Sequence, residues 1–179
     1  MTLPHFRYHP DPVGSGSVAA SPDTCRCCGF ARGYIYRGPV YALEQLDDAL
    51  CPWCIADGSA AAKFEAQFVD EEALDSNAVE EIYERLCRRT PGYNSWQTEH
   101  WPMCCGDATA FLAPLGLTEL RRDFPAQEKP LLNHILYAMK ISGRAGSDLL
   151  ESLHREAGPT AYLFECLHCR RAHFHVDQP

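Results

Sequence analysis

Apolar residues recur every three or four positions in several segments of this chain, and this spacing predicts amphipathic helices. The helix predicted over 77–89 is expected to begin at Asn77, because Asn77 and Glu80 have the spacing of a capping box. We interpret the apolar stripes as core-facing sides. The predicted helices span residues 57–69, 77–89, 131–139 and 147–158.

Aromatic and β-branched residues predict short strands at two other places. Residues 34–36 and 40–41 flank a Gly-Pro turn and are predicted to pair as a hairpin. Residues 162–166 are predicted to form a strand leading into a cysteine turn, with 174–176 as the returning strand. Residues 1–24 are expected to be an irregular arm, since prolines in the segment push the preceding residues out of helical conformation. The pattern indicates an α+β fold.

The composition is that of an ordinary globular protein, 46% hydrophobic and 22% charged. A formal net charge of −8 argues against sequence-independent binding to nucleic acid. Arg85, Arg88 and Arg89 form a small basic cluster, which we interpret as a solvated helix end. The chain shows no signal-peptide core and no apolar run long enough for a membrane span, so we expect a cytoplasmic protein. Ten cysteines in such a protein indicate metal or redox chemistry rather than disulfides.

Two Cys-x-x-Cys pairs predict a structural zinc site formed by Cys25, Cys28, Cys51 and Cys54. Each spacing lets two thiolates from one turn reach the same ion, and the second pair lies at a predicted helix start. This arrangement is typical of a treble clef. Three alternatives stay open: Cys27 could replace a member of its pair, the ion could be iron, and Cys51 with Cys54 could be a redox dithiol.

A second zinc site is a further hypothesis, centred on the Cys-x-x-Cys pair Cys166/Cys169 in a zinc-ribbon-like turn. Cys105 is the expected third ligand, because the side chains of adjacent Cys104 and Cys105 should diverge. The fourth ligand is left open between Cys104, Asp107 and a histidine. A closed site would be structural, whereas an open position would favour catalysis. The candidate histidines are His100, His168, His173 and His175.

We divide the expected single unit 1–179 into a zinc-binding module (25–70), a helical region (71–160) and a C-terminal cysteine turn (161–179). Specific motifs recur along nearly all of it, above all Cys-Pro-Trp-Cys-Ile-Ala-Asp-Gly at 51–58. The other matching segments are 6–12, 25–28, 89–93, 96–101, 105–107 and 163–169.

In these motifs the sequence resembles the CbrC-like family of bacterial proteins, whose function is poorly defined. The resemblance implies little mechanism, although one member has been linked to colicin tolerance. The family's middle motif often reads His-Cys-x-Asp-x-Cys. This chain departs from it, with Cys104 and Thr109 at the two outer positions.

The first functional hypothesis is a non-catalytic, zinc-stabilised protein that binds a partner, with the aromatic and acidic segment 96–101 as a recognition surface. The alternative for both tryptophans of that segment is burial in a small core. The second hypothesis is a metal-dependent enzyme with an acid/base site around His9 and Asp11, close to Trp96, Glu99 and Asp107. The third is a thiol redox protein that uses Cys51 and Cys54.

Overall fold

A computed structural model of the chain describes residues 2–74 and 79–177. Within these ranges the chain combines helices with small antiparallel sheets, in agreement with the predicted α+β class. The strands are β1 (Val18–Ala20), β2 (Tyr34–Tyr36), β3 (Met103–Cys104), β4 (Asp107–Ala108), β5 (Ala110–Leu115), β6 (Thr160–Glu165) and β7 (Ala172–Asp177). The α-helices are α1 (Pro52–Ala56), α2 (Ser59–Phe64), α3 (Glu80–Arg89), α4 (Leu117–Asp123), α5 (Glu128–Asn133) and α6 (Gly143–Ser152).

The central strand of the largest sheet is β6, which pairs antiparallel with β5 on one side and with β7 on the other. Because successive side chains of a strand point to opposite faces, β6 contributes to two different cores. Tyr162 and Phe164 enter an aromatic core on one face. Ala161 and Leu163 pack on the other face against the helices α4 to α6. Burial on both faces explains why this strand is apolar almost throughout.

The aromatic core joins the sheet to helix α3 and to the loop that follows it. The rings of Tyr93 and Phe111 stack with centroids 4.5 Å apart. Trp101 is 1% exposed, and its indole Nε1–H donates to the Thr109 carbonyl oxygen. Offset and tilted arrangements of this kind satisfy the quadrupoles of neighbouring rings as well as filling space. This core therefore fixes the loop over 91–101 relative to the sheet.

The N-terminal part of the chain differs from the predicted arrangement. Strand β2 pairs with β1, not with residues 40–41, so the predicted hairpin is wrong. Pro39 lacks the N–H that a ladder needs, and Tyr41 instead forms an isolated bridge with Gln67. The segment expected to be an irregular arm supplies β1 and also buries Phe6 and Tyr8.

The helix predicted over 57–69 is shorter, and it is preceded by another helix. Helix α1 begins directly after Cys51, whereas α2 ends at Phe64 because Glu65 takes the left-handed conformation (φ 51°). The predicted start of the next helix, at Asn77, lies outside the described residues. Within the described residues, α3 begins at Glu80. The region 71–160 also holds β3, β4 and β5 in addition to its helices. None of the helices in the described ranges is long and apolar enough to cross a membrane.

Phe111 is fully buried in the aromatic core, and its truncation tests how much the core contributes to stability. We expect Phe111→Ala to lower the free energy of unfolding by about 3–5 kcal/mol, since both ring contacts and a filled volume are lost. Leu43→Ala is the control, because Leu43 is 98% exposed. Urea denaturation measures both variants. Similar midpoints for the two would contradict this description of the core.

Candidate metal centres

Four cysteine sulfurs near the N-terminus lie within 4.8 Å of one another. Two of them come from the turn after residue 24, and two from the start of helix α1, where Cys51 is the N-cap. Gly29 follows the turn with φ 74°, and its N–H donates to the Cys25 carbonyl oxygen. Because glycine has no Cβ atom, it adopts this left-handed conformation without steric cost and closes the turn. We call this set the first cysteine group: Cys25, Cys28, Cys51 and Cys54.

The sulfur spacing of the first cysteine group matches a tetrahedral thiolate site. Zinc–sulfur bonds of about 2.3 Å imply sulfur–sulfur edges of about 3.8 Å in a tetrahedron. The Sγ atoms of Cys25 and Cys54 are 3.9 Å apart, and those of Cys51 and Cys54 are 3.6 Å apart. The Sγ atoms of Cys28 and Cys51 are 4.0 Å apart. A metal ion of zinc's size thus fits the donor set.

Hydrogen bonds to sulfur make Cys25 the readily ionised member of this group. The Cys51 main-chain N–H donates to the Cys25 Sγ over 3.2 Å. The Cys51 thiol, followed by main-chain N–H groups of the turn, lowers the pKa of Cys25 to about 4, although burial opposes them. The contact with Cys25 and then burial raise the pKa of Cys51 well above its usual value. The protein therefore favours the thiolate form of Cys25 and disfavours that of Cys51 and Cys54, whose pKa values are raised.

A second set of four sulfurs lies within 4.8 Å at one end of the largest sheet. Two come from the hairpin of β3 and β4 and two from the turn between β6 and β7. The Sγ atom of Cys104 is 3.8 Å from that of Cys105 and 3.7 Å from that of Cys169. We call this set the second cysteine group: Cys104, Cys105, Cys166 and Cys169.

Both adjacent cysteines join the second cysteine group, contrary to the expectation that their side chains diverge. Cys105 and Gly106 connect β3 and β4, and both have positive φ values, 54° and 76°. Positive φ at both central residues is typical of the two-residue type I′ turn that suits a hairpin. An extended backbone would send neighbouring side chains to opposite faces. The left-handed turn at Cys105 instead brings its sulfur back beside that of Cys104.

The second cysteine group is more exposed than the first. Cys105 and Cys169 are exposed, whereas three members of the first group are buried. The N–H groups of Cys169 and His168 donate to the Cys166 Sγ, each over 3.4 Å. The Cys169 N–H contributes most to lowering the pKa of Cys166 to about 6. The contact with Cys166 raises the pKa of Cys104 to about 12, so this group also stabilises one thiolate.

Asp107 lies beside the second cysteine group and binds three other side chains. Its Oδ2 accepts from Arg7 Nη2 over 2.6 Å and is 3.1 Å from His168 Nε2. Its Oδ1 accepts from the Tyr8 hydroxyl over 2.7 Å. Burial opposes ionisation, but these three partners outweigh it and lower the pKa of Asp107. Asp107 thus ties the N-terminal segment to the second cysteine group.

The remaining candidate histidines have other neighbours. The ring of His100, in the loop over 91–101, lies 5.3 Å from the ring of His175 on β7. His175 Nε2 is 2.6 Å from the buried carboxylate of Asp177. Within the described part of the chain, only cysteines make up the groups that have metal-ligand spacing.

His9 and Asp11 occupy positions that hold the N-terminal loop. His9 is fully buried, with Nδ1–H donating to the Pro91 carbonyl oxygen over 2.7 Å and Nε2 2.7 Å from Ser15 Oγ. Burial lowers the pKa of His9 to about 4, so the ring is neutral at pH 7. Asp11 Oδ1 accepts from the Gly14 N–H over 2.8 Å and closes a turn. These contacts give both residues a role in holding the conformation of the loop.

Trp96 and Trp101 have opposite environments, although they lie in one predicted recognition segment. Trp101 is buried, whereas Trp96 is 48% exposed. The main-chain N–H of Trp96 donates to Asp177 Oδ2 over 3.1 Å, and its indole Nε1–H donates to Thr160 Oγ1 over 3.0 Å. Both acceptor residues are fully buried. The exposed ring is therefore held firmly at the wall of a cavity.

That cavity has a volume of about 360 Å³. Its floor is formed by the aromatic core, through Tyr93, Phe111 and Tyr162, and its rim carries Arg155 and Glu156. Sequence reasoning missed this cavity, since its lining comes from four separate parts of the chain, at 15–16, 93–96, 111–114 and 155–162. We call it the Trp96 cavity.

The sequence is similar to a family of proteins whose function has not been determined. A sequence model of the uncharacterised protein family UPF0167 matches residues 3–178. The UPF0167 protein PA1536 of Pseudomonas aeruginosa is 43% identical, covering 98% of this chain and 97% of that protein. The UPF0167 protein Mb2317 of Mycobacterium bovis is 46% identical, covering 93% of this chain and 89% of that protein. No solved structure matches this chain.

Glu99 provides a pH-dependent test of the loop over 91–101. Its side chain is buried and accepts from the Asp70 N–H over 3.0 Å. Burial raises its pKa to about 7, which the Asp70 N–H only partly offsets. Between about pH 4.5 and 7 the folded state therefore keeps a proton on Glu99 that the unfolded state has released. The proton on Glu99 stabilises the folded state at low pH, and this stabilisation is lost as the pH rises through that range.

We therefore expect Glu99→Gln to gain stability relative to the unmodified protein as pH rises from 5 to 8, by at most about 3 kcal/mol. Urea denaturation at several pH values measures the difference. Glu72→Gln is the control, since Glu72 is exposed. A difference between Glu99→Gln and the unmodified protein that does not change with pH would show that Glu99 ionises normally in the folded state.

Proposed function

This chain belongs to the uncharacterised protein family UPF0167, and from that premise we propose that it is a non-catalytic binding protein held together by two structural zinc ions. The observation that carries the metal assignment is the tetrahedral spacing of sulfur in both cysteine groups. The observation that carries the binding role is the exposed but firmly held ring of Trp96. The expected location is the cytoplasm of bacteria.

Zinc is the ion that four thiolates at this spacing favour, because tetrathiolate sites of small proteins are most often structural zinc sites. In the first cysteine group the Cys51 thiol and then main-chain N–H groups lower the pKa of Cys25, and in the second the Cys169 N–H contributes most to lowering the pKa of Cys166. The pKa values of Cys51, Cys54, Cys104 and Cys105 are raised. A divalent cation removes the repulsion that keeps those thiols protonated. The ligands would be Cys25, Cys28, Cys51 and Cys54 in the first site and Cys104, Cys105, Cys166 and Cys169 in the second.

The two sites would act as a treble clef and a zinc ribbon respectively. In the first, a cysteine turn and a helix N-terminus meet across a small core; the α1 terminus would favour the negative charge of the thiolates. In the second, two strand-connecting turns meet, as in a ribbon. We propose that residues 25–70 form the first zinc module, and that residues 161–179 form the cysteine turn of the second within one unit of 1–179.

The Trp96 cavity is the best-supported binding surface. Its volume of about 360 Å³ lies in the range of small-ligand sites. An exposed tryptophan that is anchored to buried Asp177 and Thr160 gives a rigid aromatic wall at low entropic cost. We propose that the cavity receives a planar ring, presented by a partner protein or by a small molecule. The narrower assignment to the CbrC-like proteins, with colicin tolerance as a phenotype, stays a prediction.

The redox alternative finds less support than the structural one. A redox dithiol requires an accessible thiol with a lowered pKa. Cys51 and Cys54 are buried, with 0% and 2% exposure, and the pKa values of both are raised. The pKa is lowered at Cys25 instead, which lies in the opposite turn.

Elemental analysis of the purified, untagged protein should give two zinc atoms per chain. Cys51→Ser should then hold one zinc and melt at a much lower temperature, because metal binding at a structural site contributes directly to folding. Protein prepared without chelator that contains no metal would overturn the assignment.

Two serine variants with the same chemical change serve as controls. Cys27 lies in the same turn but outside the first cysteine group, and Cys87 is buried in the aromatic core. We expect Cys27→Ser and Cys87→Ser to retain both zinc atoms, with Cys87→Ser losing only about 1–3 kcal/mol for a buried hydroxyl. Equal melting temperatures for Cys51→Ser and Cys87→Ser would contradict the proposed ligand set.

Binding of a ring can be followed by NMR at the indole N–H groups of the tryptophans. We expect N-acetyl-tyrosinamide to shift the signal of Trp96 in a saturable way. The signal of Trp53 should not move, because this half-buried residue lies between Cys51 and Cys54 of the first cysteine group and does not line the Trp96 cavity. In Trp96→Ala the titration should have no saturable effect on residues of the cavity. Equal shifts at both indoles would mean non-specific contact and would remove the support for this surface.

A further inference from the structure

A second cavity, distinct from the Trp96 cavity, lies where the N-terminal segment meets helices α1 and α3. Its volume is about 330 Å³. Three of its lining residues are arginines, and among the described residues that line it none is acidic. We call it the arginine cavity. It is lined by His5, Phe6, Arg7, Ala56, Arg85, Arg89 and Thr90.

The three guanidinium groups differ in how their charges are balanced. Arg7 Nη2 is 2.6 Å from Asp107 Oδ2. Arg89 Nε is 3.3 Å from Glu84 Oε1. Arg85 is exposed, and its side chain makes no ion pair within the described ranges. Among the described residues, the positive charge of Arg85 thus has no paired acid, and the acids that pair with the other two arginines lie outside the lining of this cavity.

Such a concentration of cations is unusual in a chain with a net charge of −8. A helix end can attract basic residues through its dipole, which accounts for Arg88 and Arg89 in the last turn of α3. It does not account for Arg7, which comes from a different segment and converges on the same space. Three arginines in the lining of one cavity offer the planar, paired N–H donors that bind oxoanions.

We propose that the arginine cavity binds the phosphate group of a small ligand. Arg85 supplies a positive charge that is paired with no acid in the described ranges, and Arg7 and Arg89 supply further donors. Arg7 and Arg85 also line an adjoining cavity of about 450 Å³, whose lining includes Cys105 of the second cysteine group and the acids Glu81 and Asp107. The phosphate would therefore bind on the arginine side, and the uncharged part of the ligand would face these acids. The remainder of a phosphorylated ligand has room to extend in that direction. This site is independent of the Trp96 cavity and of the binding role proposed for it.

The helix itself offers a matched control for the test. Arg88 lies on the same helix as Arg85 and carries the same charge, but it lines neither cavity. Its Nη1 is 3.1 Å from Glu84 Oε2. Arg85→Gln and Arg88→Gln therefore remove one positive charge each from the same helix and differ in whether the charge faces the cavity.

The experiment is isothermal titration of the full-length, metal-loaded protein with inorganic phosphate, with pyrophosphate and with ribose 5-phosphate at low ionic strength. We expect saturable binding that Arg85→Gln weakens at least tenfold and Arg88→Gln changes less than twofold. Tighter binding of ribose 5-phosphate than of inorganic phosphate would assign the site to a phosphorylated small molecule, and the reverse order would assign it to the free ion.

Two results would overturn the proposal. One is the absence of saturable binding for all three probes. The other is an equal loss in Arg85→Gln and Arg88→Gln, which would mean general attraction to a basic helix end. Metal content and melting temperature of both variants are measured alongside, and because both side chains are exposed, we expect neither to change. A test without any mutation is to titrate the unmodified protein with the same probes in excess sulfate. Sulfate should compete with the phosphate group for the arginines and weaken the binding of each probe.

Discussion

Mutual repulsion among thiolates is the constraint on which most of this molecule depends. Four thiolates within 4.8 Å of one another repel strongly unless a cation lies between them. The protein itself lowers the pKa of Cys25 in the first group and of Cys166 in the second. The first cysteine group lies in the N-terminal core, where Cys25, Cys51 and Cys54 are themselves buried core residues. A cation bound there would therefore be coupled to the packing of that core, because without it the sulfurs must either hold protons or move apart.

The second cysteine group has a different relation to the rest of the fold. It lies at the exposed end of the sheet, and its link to the interior runs through Asp107. That carboxylate binds Arg7 and Tyr8 from the N-terminal segment and contacts His168 from the cysteine turn. The first and last parts of the chain thus meet at one buried acid. The arginine cavity adjoins this point, so a ligand that binds Arg7 would compete with Asp107 for the same guanidinium.

The aromatic core connects these outer parts. It packs one face of the sheet against helix α3 and holds the loop that carries Trp96. Tyr93 anchors the loop by stacking on Phe111 in the aromatic core, and Trp96 anchors it by hydrogen bonds to Asp177 and Thr160. Because both anchors are buried, an exposed ring can be presented at a fixed position. Rigid presentation of this kind is what distinguishes a recognition surface from an aromatic side chain that is merely left in solvent.

The sequence by itself determined the cysteine pairs and the α+β class. A Cys-x-x-Cys spacing positions two sulfurs through local turn geometry, and apolar periodicity reflects which side of an element is buried, so both can be read locally. The strand predicted over 162–166 and its return over 174–176 were recognisable for the same reason, and they correspond to β6 (Thr160–Glu165) and β7 (Ala172–Asp177). The central role of the cysteines therefore needed no knowledge of long-range contacts.

Only the tertiary structure decided how distant segments meet. The pairing of β2 with β1, in place of the predicted hairpin, depends on a partner far from the turn. Cys104 and Cys105 join one group because Cys105 takes a left-handed conformation. Non-glycine residues disfavour this conformation locally, but the two-residue turn of the hairpin requires it. The different environments of Trp96 and Trp101, and the convergence of Arg7 with Arg85, arise from packing between segments that are separate in sequence. Spacing along the chain carries no information about such contacts, because they are set by the free energy of the whole folded structure.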